Sequence, residues 1–287
     1  MVSALRVTFL VFIFISWMYP FGLQFLGEIK LLAGEGKNFT DIGVSVFGDI
    51  YLIEGNYDEL YLIDGRGRVI KKTGGTGWNS AALDSPNDLV VVDDLNILVA
   101  DYNNHSVKRY DRKLNYIGEF SGDNFEDGFS FPLSVACDKE GFIYVLDGER
   151  REIFIFNSFL NQSFWIGGAE YGSFTIVSPV RMRVNADRNI YVLEEDGTVK
   201  IFRFPAEPYR IIPGHGGKAV DMALLGDAQV VILYETGYLD LPESENGRGV
   251  NLGDIGCDTR VVAFAVCGGK LYFLSPCGIV YIFEMIE

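Results

Sequence analysis

Histidine is nearly absent from this 287-residue chain, which has only His105 and His215. Zinc takes three or four converging N, S or O ligands. A zinc centre here would need both imidazoles to meet carboxylates across the molecule. Cysteine is scarce as well, and Cys137, Cys257, Cys267 and Cys277 lack the close spacing of a zinc site. Basic charge is short, with 24 Lys and Arg against 39 Asp and Glu and a net charge of −15. That excludes nucleic-acid binding through a basic face, since phosphates need clustered Lys and Arg. No Gly-x-Ser-x-Gly elbow, His-Glu-x-x-His pair or Gly-x-x-x-x-Gly-Lys loop is present. The motifs of serine hydrolases, zinc proteases and phosphate-binding loops are therefore missing. Charged residues make up 22% and apolar ones 48%, which rules out a disordered composition and leaves ample material for a core.

Glycine and aromatic residues are abundant: 33 Gly, 22 Phe and 15 Tyr. That mixture suits a turn-rich β protein. Short apolar runs recur at Ile50–Glu54, Ile97–Asp101, Ile143–Asp147, Ile190–Glu194, Val231–Glu235 and Leu271–Ser275. Their starts lie 47, 46, 47, 41 and 40 residues apart. A period of about 40–50 residues with several strands per unit means a propeller or a related array. Each unit parses into four strands. An inner run comes first, at Ile42–Val46, Leu89–Val92, Leu133–Cys137, Val180–Val184, Ala219–Ala223 and Val261–Val266. The aligned run is second, and two more follow, as in Val107–Asp111 and Tyr116–Phe120. The sixth unit has no fourth strand before Glu287, whereas Glu28–Leu32, ahead of the first unit, resembles one. Giving that strand to the sixth unit closes a ring and removes an open sheet edge. The expectation is an all-β, six-bladed propeller of four-stranded antiparallel blades, a single domain over residues 25–287.

Residues 1–24 differ in character. Arg6 is followed by Val7–Met18, in which only Thr8 and Ser16 are polar, and the apolar character continues to Leu26. A charged start and such a run read as a signal peptide or as a retained N-terminal membrane anchor. Tyr19-Pro20-Phe21-Gly22 offers no clean small-x-small cleavage site. Under either reading Arg6 stays inside and the rest is exported: periplasmic, extracellular or anchored facing outside.

The second unit has Pro86 before its inner strand, Asp101 closing the next, Asn104 in the following loop and Tyr110-Asp111 closing the third. These residues resemble the NHL repeat, the four-stranded blade of six-bladed β-propellers in the TolB-like superfamily. His105-Ser106 stands where that family favours an Arg. The third unit keeps Pro132 and Asp147 and offers Arg150 or Arg151, the fourth keeps Pro179 with Glu194, and the last two are weaker and shorter. The resemblance implies the architecture over roughly residues 26–287. It leaves function open, because the fold hosts ligand sensors, interaction modules, lyases and lactonases.

In such a propeller the inter-blade connectors and the loops after each second strand share one face around a central channel. That face gathers Asp41, Asn87, Asp88, Asp101, Asn104, Asp147, Arg150, Arg151, Glu194 and Glu235. Carboxylates gathered this way can hold Ca²⁺ or accept backbone N–H bonds within their own loops. Departures from the repeat are the sharper candidates. Arg181 and Arg183 lie on an inner strand, where alternation puts both on one face. They suit an anion site or salt bridges between blades, with Asp221 as their partner or as a metal ligand. Asp88 and His215 join this ligand-binding set. Trp78 and Tyr171, on connectors, are candidate partner contacts, whereas Phe129 and Phe174 are expected to pack between blades. Cys277 falls opposite a position near Cys257 in the sixth-unit hairpin, so an exported chain can bridge them; four thiols are the alternative.

No catalytic residue emerges. The reading is an exported, monomeric, non-enzymatic NHL-type propeller that binds a protein, peptide or glycan on its loop face. It needs no cofactor, Ca²⁺ being the one candidate ion, and meets a membrane only through its N-terminal segment. A metal-assisted lactonase or lyase is the alternative.

Overall fold

The computed structural model describes residues 22–31, 36–92, 95–125, 127–158, 160–226, 228–243, 249–257 and 260–286. Most of the expected signal or anchor, residues 1–21, lies outside them. Its last three residues belong to the first strand, β1 (Gly22–Lys30). Among the described residues no helix is long and apolar enough to cross a membrane.

Six four-stranded antiparallel sheets follow in order. Blade one is β2 (Phe39–Val44), β3 (Ile50–Glu54), β4 (Glu59–Ile63) and β5 (Val69–Gly74). Blade two is β6 (Pro86–Val92), β7 (Asn96–Asp101), β8 (Ser106–Asp111) and β9 (Tyr116–Ser121). Blade three is β10 (Pro132–Cys137), β11 (Ile143–Asp147), β12 (Glu152–Phe156) and β13 (Gln162–Gly167). Blade four is β14 (Pro179–Val184), β15 (Ile190–Glu194), β16 (Val199–Arg203) and β17 (Glu207–Ile212). Blade five is β18 (Ala219–Leu225), β19 (Gln229–Tyr234), β20 (Tyr238–Asp240) and β21 (Val250–Asn251). Blade six is β22 (Ala263–Cys267), β23 (Lys270–Leu274) and β24 (Ile279–Ile286), with β1 as its outer strand. Gly22 pairs with Ile286 and Lys30 with Ile279, so the first strand of the chain closes the ring on the last. The closing strand begins six residues before the expected Glu28, inside the apolar stretch.

Inner strands touch in sequence from β2 to β22, and β22 touches β2. Each gap between neighbouring blades is filled by its own hydrophobic cluster. Between blades two and three, for example, Val107, Phe129, Val145, Phe154 and Phe156 are buried together. Burying one such side chain contributes about 1.5–3 kcal/mol, and every blade shares both its faces with neighbours. This is why the blades hold to one another around the ring. Phe129 packs there as expected, and Phe174 lies against the cluster of blades three and four.

The turns explain the strand order. Asp138 closes the first hairpin of blade three: its carboxylate accepts from the Glu140 and Phe142 N–H groups at 3.0 and 2.8 Å. Gly141 there has φ 82°, a left-handed conformation that suits glycine. Near the start of the inner strand, five of the six blades shift register by one residue, between Phe39 and Asp41, Pro86 and Asp88, Pro132 and Ser134, Pro179 and Arg181, and Ala219 and Asp221. Such bulges re-aim the side chain that follows.

Two expectations are corrected here. In blade five Leu233, not Tyr234, takes the place of Leu193, because Asp221 pairs with Leu233 as Arg181 pairs with Leu193. The repeat therefore slips by one residue, and Tyr234 rather than Glu235 closes the second strand. No disulfide joins Cys257 to Cys277: all four cysteines are thiols. Cys257 is buried in the cluster between blades five and six, whereas Cys277 is exposed in the loop before β24.

Candidate functional site

The residue after each bulge forms a ring around the channel. By register it is Asp41, Asp88, Ser134, Arg181 and Asp221 in blades one to five, with Ala263 at the same place in blade six. In blades one, two, three and five the ring side chain stitches its blade to the backbone of the next. Asp41 accepts from the Leu89 N–H at 2.8 Å, and Asp88 accepts from the Val135 N–H at 2.9 Å. The Ser134 hydroxyl accepts from the Met182 N–H at 3.1 Å, and Asp221 accepts from the Phe264 N–H at 2.8 Å. Ser134 also donates to Asp88.

Arg181 crosses this ring. Its Nε donates to Asp221 at 2.8 Å, Nη1 to Asp88 at 2.6 Å and Nη2 to Asp41 at 3.3 Å. Every guanidinium nitrogen thus has a carboxylate acceptor, and the four side chains are buried. Arg183, two residues on, donates to Asp88 at 3.3 Å and to its neighbour Met182 carbonyl at 2.9 Å. The sequence nominated Arg181, Arg183, Asp88 and Asp221, and the structure brings all four together, with Asp41 as a fifth member. Together they plug the channel.

Burial raises the Asp41 carboxyl to about 8; Arg181 pulls it down, while Asp88 and Asp221 push it further up. Burial acts on Asp88 too, but Arg181, Arg183 and the Ser134 hydroxyl outweigh it and hold Asp88 below the ordinary range. Desolvation opposes the Arg181 charge, but its three carboxylates win and keep it firmly protonated. The cluster thus sets three buried carboxyl groups against two guanidinium groups, and burial with the neighbouring Asp88 and Asp221 favours the protonated form of Asp41.

A second set of carboxylates closes the second strands. Asp147 accepts from the N–H groups of Ser130, Phe131, Glu149 and Arg150 at 2.6, 3.0, 3.0 and 2.8 Å. Glu54 accepts from Asn38, Asn56 and Tyr57. Glu194 accepts from Val177, Ser178 and the Lys200 ammonium. Asp101 accepts from the Asp84 N–H and from Asn104 at 2.8 Å each. Burial raises Asp101 to about 6 against those bonds. These acids staple the connector that enters a blade to the loop leaving its second strand. Glu235, by contrast, is exposed and pairs with Arg260 at 2.8 Å.

The remaining candidates disperse. His215 Nδ1 lies 2.6 Å from Asp240, a buried carboxylate whose Oδ1 has no hydrogen-bond partner among the described residues. Asp240 sits opposite Ile232, where blades two and four place Lys108 and Lys200 opposite Val99 and Val192. Blade five thus inverts the charge, and its connector supplies the partner. Nothing in the sequence marked Asp240, which read as an ordinary strand residue. His105 is spent on the Ser130 carbonyl at 2.5 Å. Trp78 is fully exposed, whereas Tyr171 packs edge-on to Phe202. Among the described residues no three His, Cys, Asp or Glu side chains are grouped to hold a metal ion.

Open space lies on the loop face over blades three to five. Two adjoining lobes of about 630 and 550 Å³ share Val177, Ser178, Glu195 and Lys218. Leu133, Val180 and Val220, each one residue before a ring position, line the second lobe together with Glu149 and Arg151. Of the residues the sequence grouped on this face, Arg151 and Glu194 line the cavity; Arg181, Arg183, Asp88, Asp221, His215, Trp78 and Tyr171 do not.

The family model of the NHL repeat matches residues 83–110, the first three strands of blade two and the connector before them. The chain is a β-propeller carrying an NHL repeat. No curated protein matches it. Within the matched NHL unit, Asp101 and Asn104 hold each other and the entering connector, so this part of the repeat is blade scaffolding.

Proposed function

We propose that this propeller is an exported, non-enzymatic binding module that takes a protein, peptide or glycan ligand on its loop face. One contrast carries the reading: the channel is plugged by a buried cluster of ion pairs, while the loop face holds a cavity whose walls are fixed by the Asp147 and Glu194 staples. Rigid loops around a concave surface lose little freedom on binding, which favours recognition. Asp101, Asp147 and Glu194, among the loop-face carboxylates that suggested a metal-assisted lactonase or lyase, accept backbone N–H groups and neighbouring side chains, so they argue for scaffold rather than for chemistry.

Amide hydrogen exchange on the purified chain, with arrays of peptides and glycans as probes, tests the proposal. Expected is ligand-induced protection of the loops at residues 148–151, 177–178, 195–198 and 217–220. Metal-dependent turnover of a lactone that is lost in Asp221→Ala or Arg181→Ala would overturn it. N-terminal sequencing and fractionation of the expressed protein test export, which rests on the apolar stretch Val7–Leu26.

A further inference from the structure

The loop after each second strand ends on a residue in the left-handed region. Blades four to six put Gly197, Gly237 and Gly278 there, with φ 86°, 79° and 83°. Blades one to three put Asp58, His105 and Arg151 there, with φ 55°, 54° and 59°. A side chain at such a position strains the backbone, so its retention asks for a reason. Two of the three reasons are visible. The Asp58 carboxylate accepts from the Ser85 N–H at 3.0 Å, and His105 Nδ1 meets the Ser130 carbonyl. Each holds the next connector in place.

Arg151 does not. Its backbone N–H donates to the Asp147 carbonyl at 2.9 Å, which fixes the loop. Among the described residues its guanidinium has no hydrogen-bond or ion-pair partner. The neighbouring Arg150, by contrast, donates to Glu152 and to the Gly128 carbonyl. Arg151 instead lines the second lobe of the cavity, as does Lys218. Among the described residues the Lys218 ammonium has one ion-pair contact, with Glu195 at 3.9 Å. The lobe is walled by Leu133, Val180 and Val220.

We infer that Arg151 and Lys218 receive the C-terminal carboxylate of a peptide whose last side chain is apolar and rests on Leu133, Val180 and Val220. This inference rests on the loop-face binding reading and names its ligand. A guanidinium fork matches a carboxylate and forms its strongest hydrogen bonds with one. Glu149 and Glu195 also line the lobe. They repel polyanions and accept N–H groups from a peptide main chain.

The test is calorimetry on the purified chain with a library of short peptides ending in Leu, Ile, Val or Phe. Each peptide is offered as the free acid and as the C-terminal amide, with N-acetyl-leucine as the small-acid arm. Free acids are expected to bind about tenfold tighter or more than amides, the loss of a charged hydrogen bond. Arg151→Gly should cut free-acid affinity several-fold toward that of the amide, with Lys218 keeping the remainder, and leave amide affinity alone. Its melting temperature should stay level or rise by about 2–4 °C, because glycine relieves the left-handed strain. That separates lost recognition from lost folding.

Equal binding of acid and amide, or unchanged acid binding by Arg151→Gly, overturns this inference while leaving a loop-face module in place. N-acetyl-leucine binding as tightly as the peptides overturns the peptide assignment in favour of small carboxylic acids. Ligand protection confined to the opposite face of the propeller overturns the loop-face reading itself.

Discussion

The channel ring and the second-strand staples both bury carboxylates repeatedly, yet they neutralise them in different ways. Asp147 is satisfied by four backbone N–H groups, all in the loop and connector of its own blade. Asp41, Asp88 and Asp221 belong to three blades and depend on a guanidinium from a fourth. A staple is local and repeats because the blade repeats. The ring is a single shared arrangement, built from residues that break the repeat. Loss of a staple should loosen one blade, and loss of the ring's cation should weaken the whole closure.

The largest effect is therefore expected at Arg181. Replacing it with Ala leaves three carboxylates facing each other in a buried site. Breaking a buried ion network by removing one member costs about 3–5 kcal/mol. Arg181→Lys should recover only part of this, since one ammonium cannot fork to three acceptors. Urea denaturation measures both. A loss for Arg181→Ala below about 1 kcal/mol would mean that the carboxylates simply take up protons and that the ring is not held by charge.

Asp147→Ala should cost less, about 1–3 kcal/mol for the stranded N–H groups. Hydrogen exchange sharpens the contrast. The amides of Ser130, Phe131, Glu149 and Arg150 should lose protection, while those of blades five and six keep theirs. Loss of protection around the whole ring would break the distinction between local staple and shared ring.

Next in size is the dependence of stability on pH. Folded Asp41, raised to about 8, keeps a proton that the unfolded chain gives up above about pH 4. Between those values the folded state binds more protons, so this group makes stability fall as pH rises. Asp101, raised to about 6, acts in the same direction over the lower part of that window. Asp88 is lowered and acts the other way, losing its contribution only below the ordinary carboxylate range. Each group can contribute a slope of at most about 1.4 kcal/mol per pH unit. Urea midpoints measured across this window should fall with pH, and Asp41→Asn should flatten the part above Asp101. An unchanged slope in that variant would assign the effect elsewhere.

The sequence made the architecture legible because strand alternation, the spacing of second strands and the displaced outer strand are all local patterns. Arg181, Arg183 and Asp221 were legible as departures from a repeat, although not as a plug: side chains from four blades meet only once the ring closes. Asp41 was hidden among loop-face acids because the bulge before it, which turns it inward, has no clear sequence mark. Asp240 was not legible, and Arg151 was legible only as one of many loop-face residues. One is an inverted charge on a short strand, and the other is set apart only by a backbone angle and by what it fails to touch.

The smallest expected effect tests the one-residue slip in blade five. Glu194 and Glu235 look alike in sequence, each ending an apolar run. By register, however, Glu194 closes the second strand opposite Pro179, while in blade five Tyr234 takes that place opposite Ala219. Glu194 is buried and holds the Val177 and Ser178 N–H groups and Lys200. The Glu235 side chain is 44% exposed and, among the described residues, pairs with Arg260, itself 56% exposed. Exposed pairs of this kind contribute about 0.2–1 kcal/mol. Glu235→Gln should therefore shift the urea midpoint by no more than that, whereas Glu194→Gln should lose a charged bond to buried donors, about 1–3 kcal/mol. Equal losses would place Glu235 at the staple position, restore the unslipped alignment and remove blade five's exception to the local scheme.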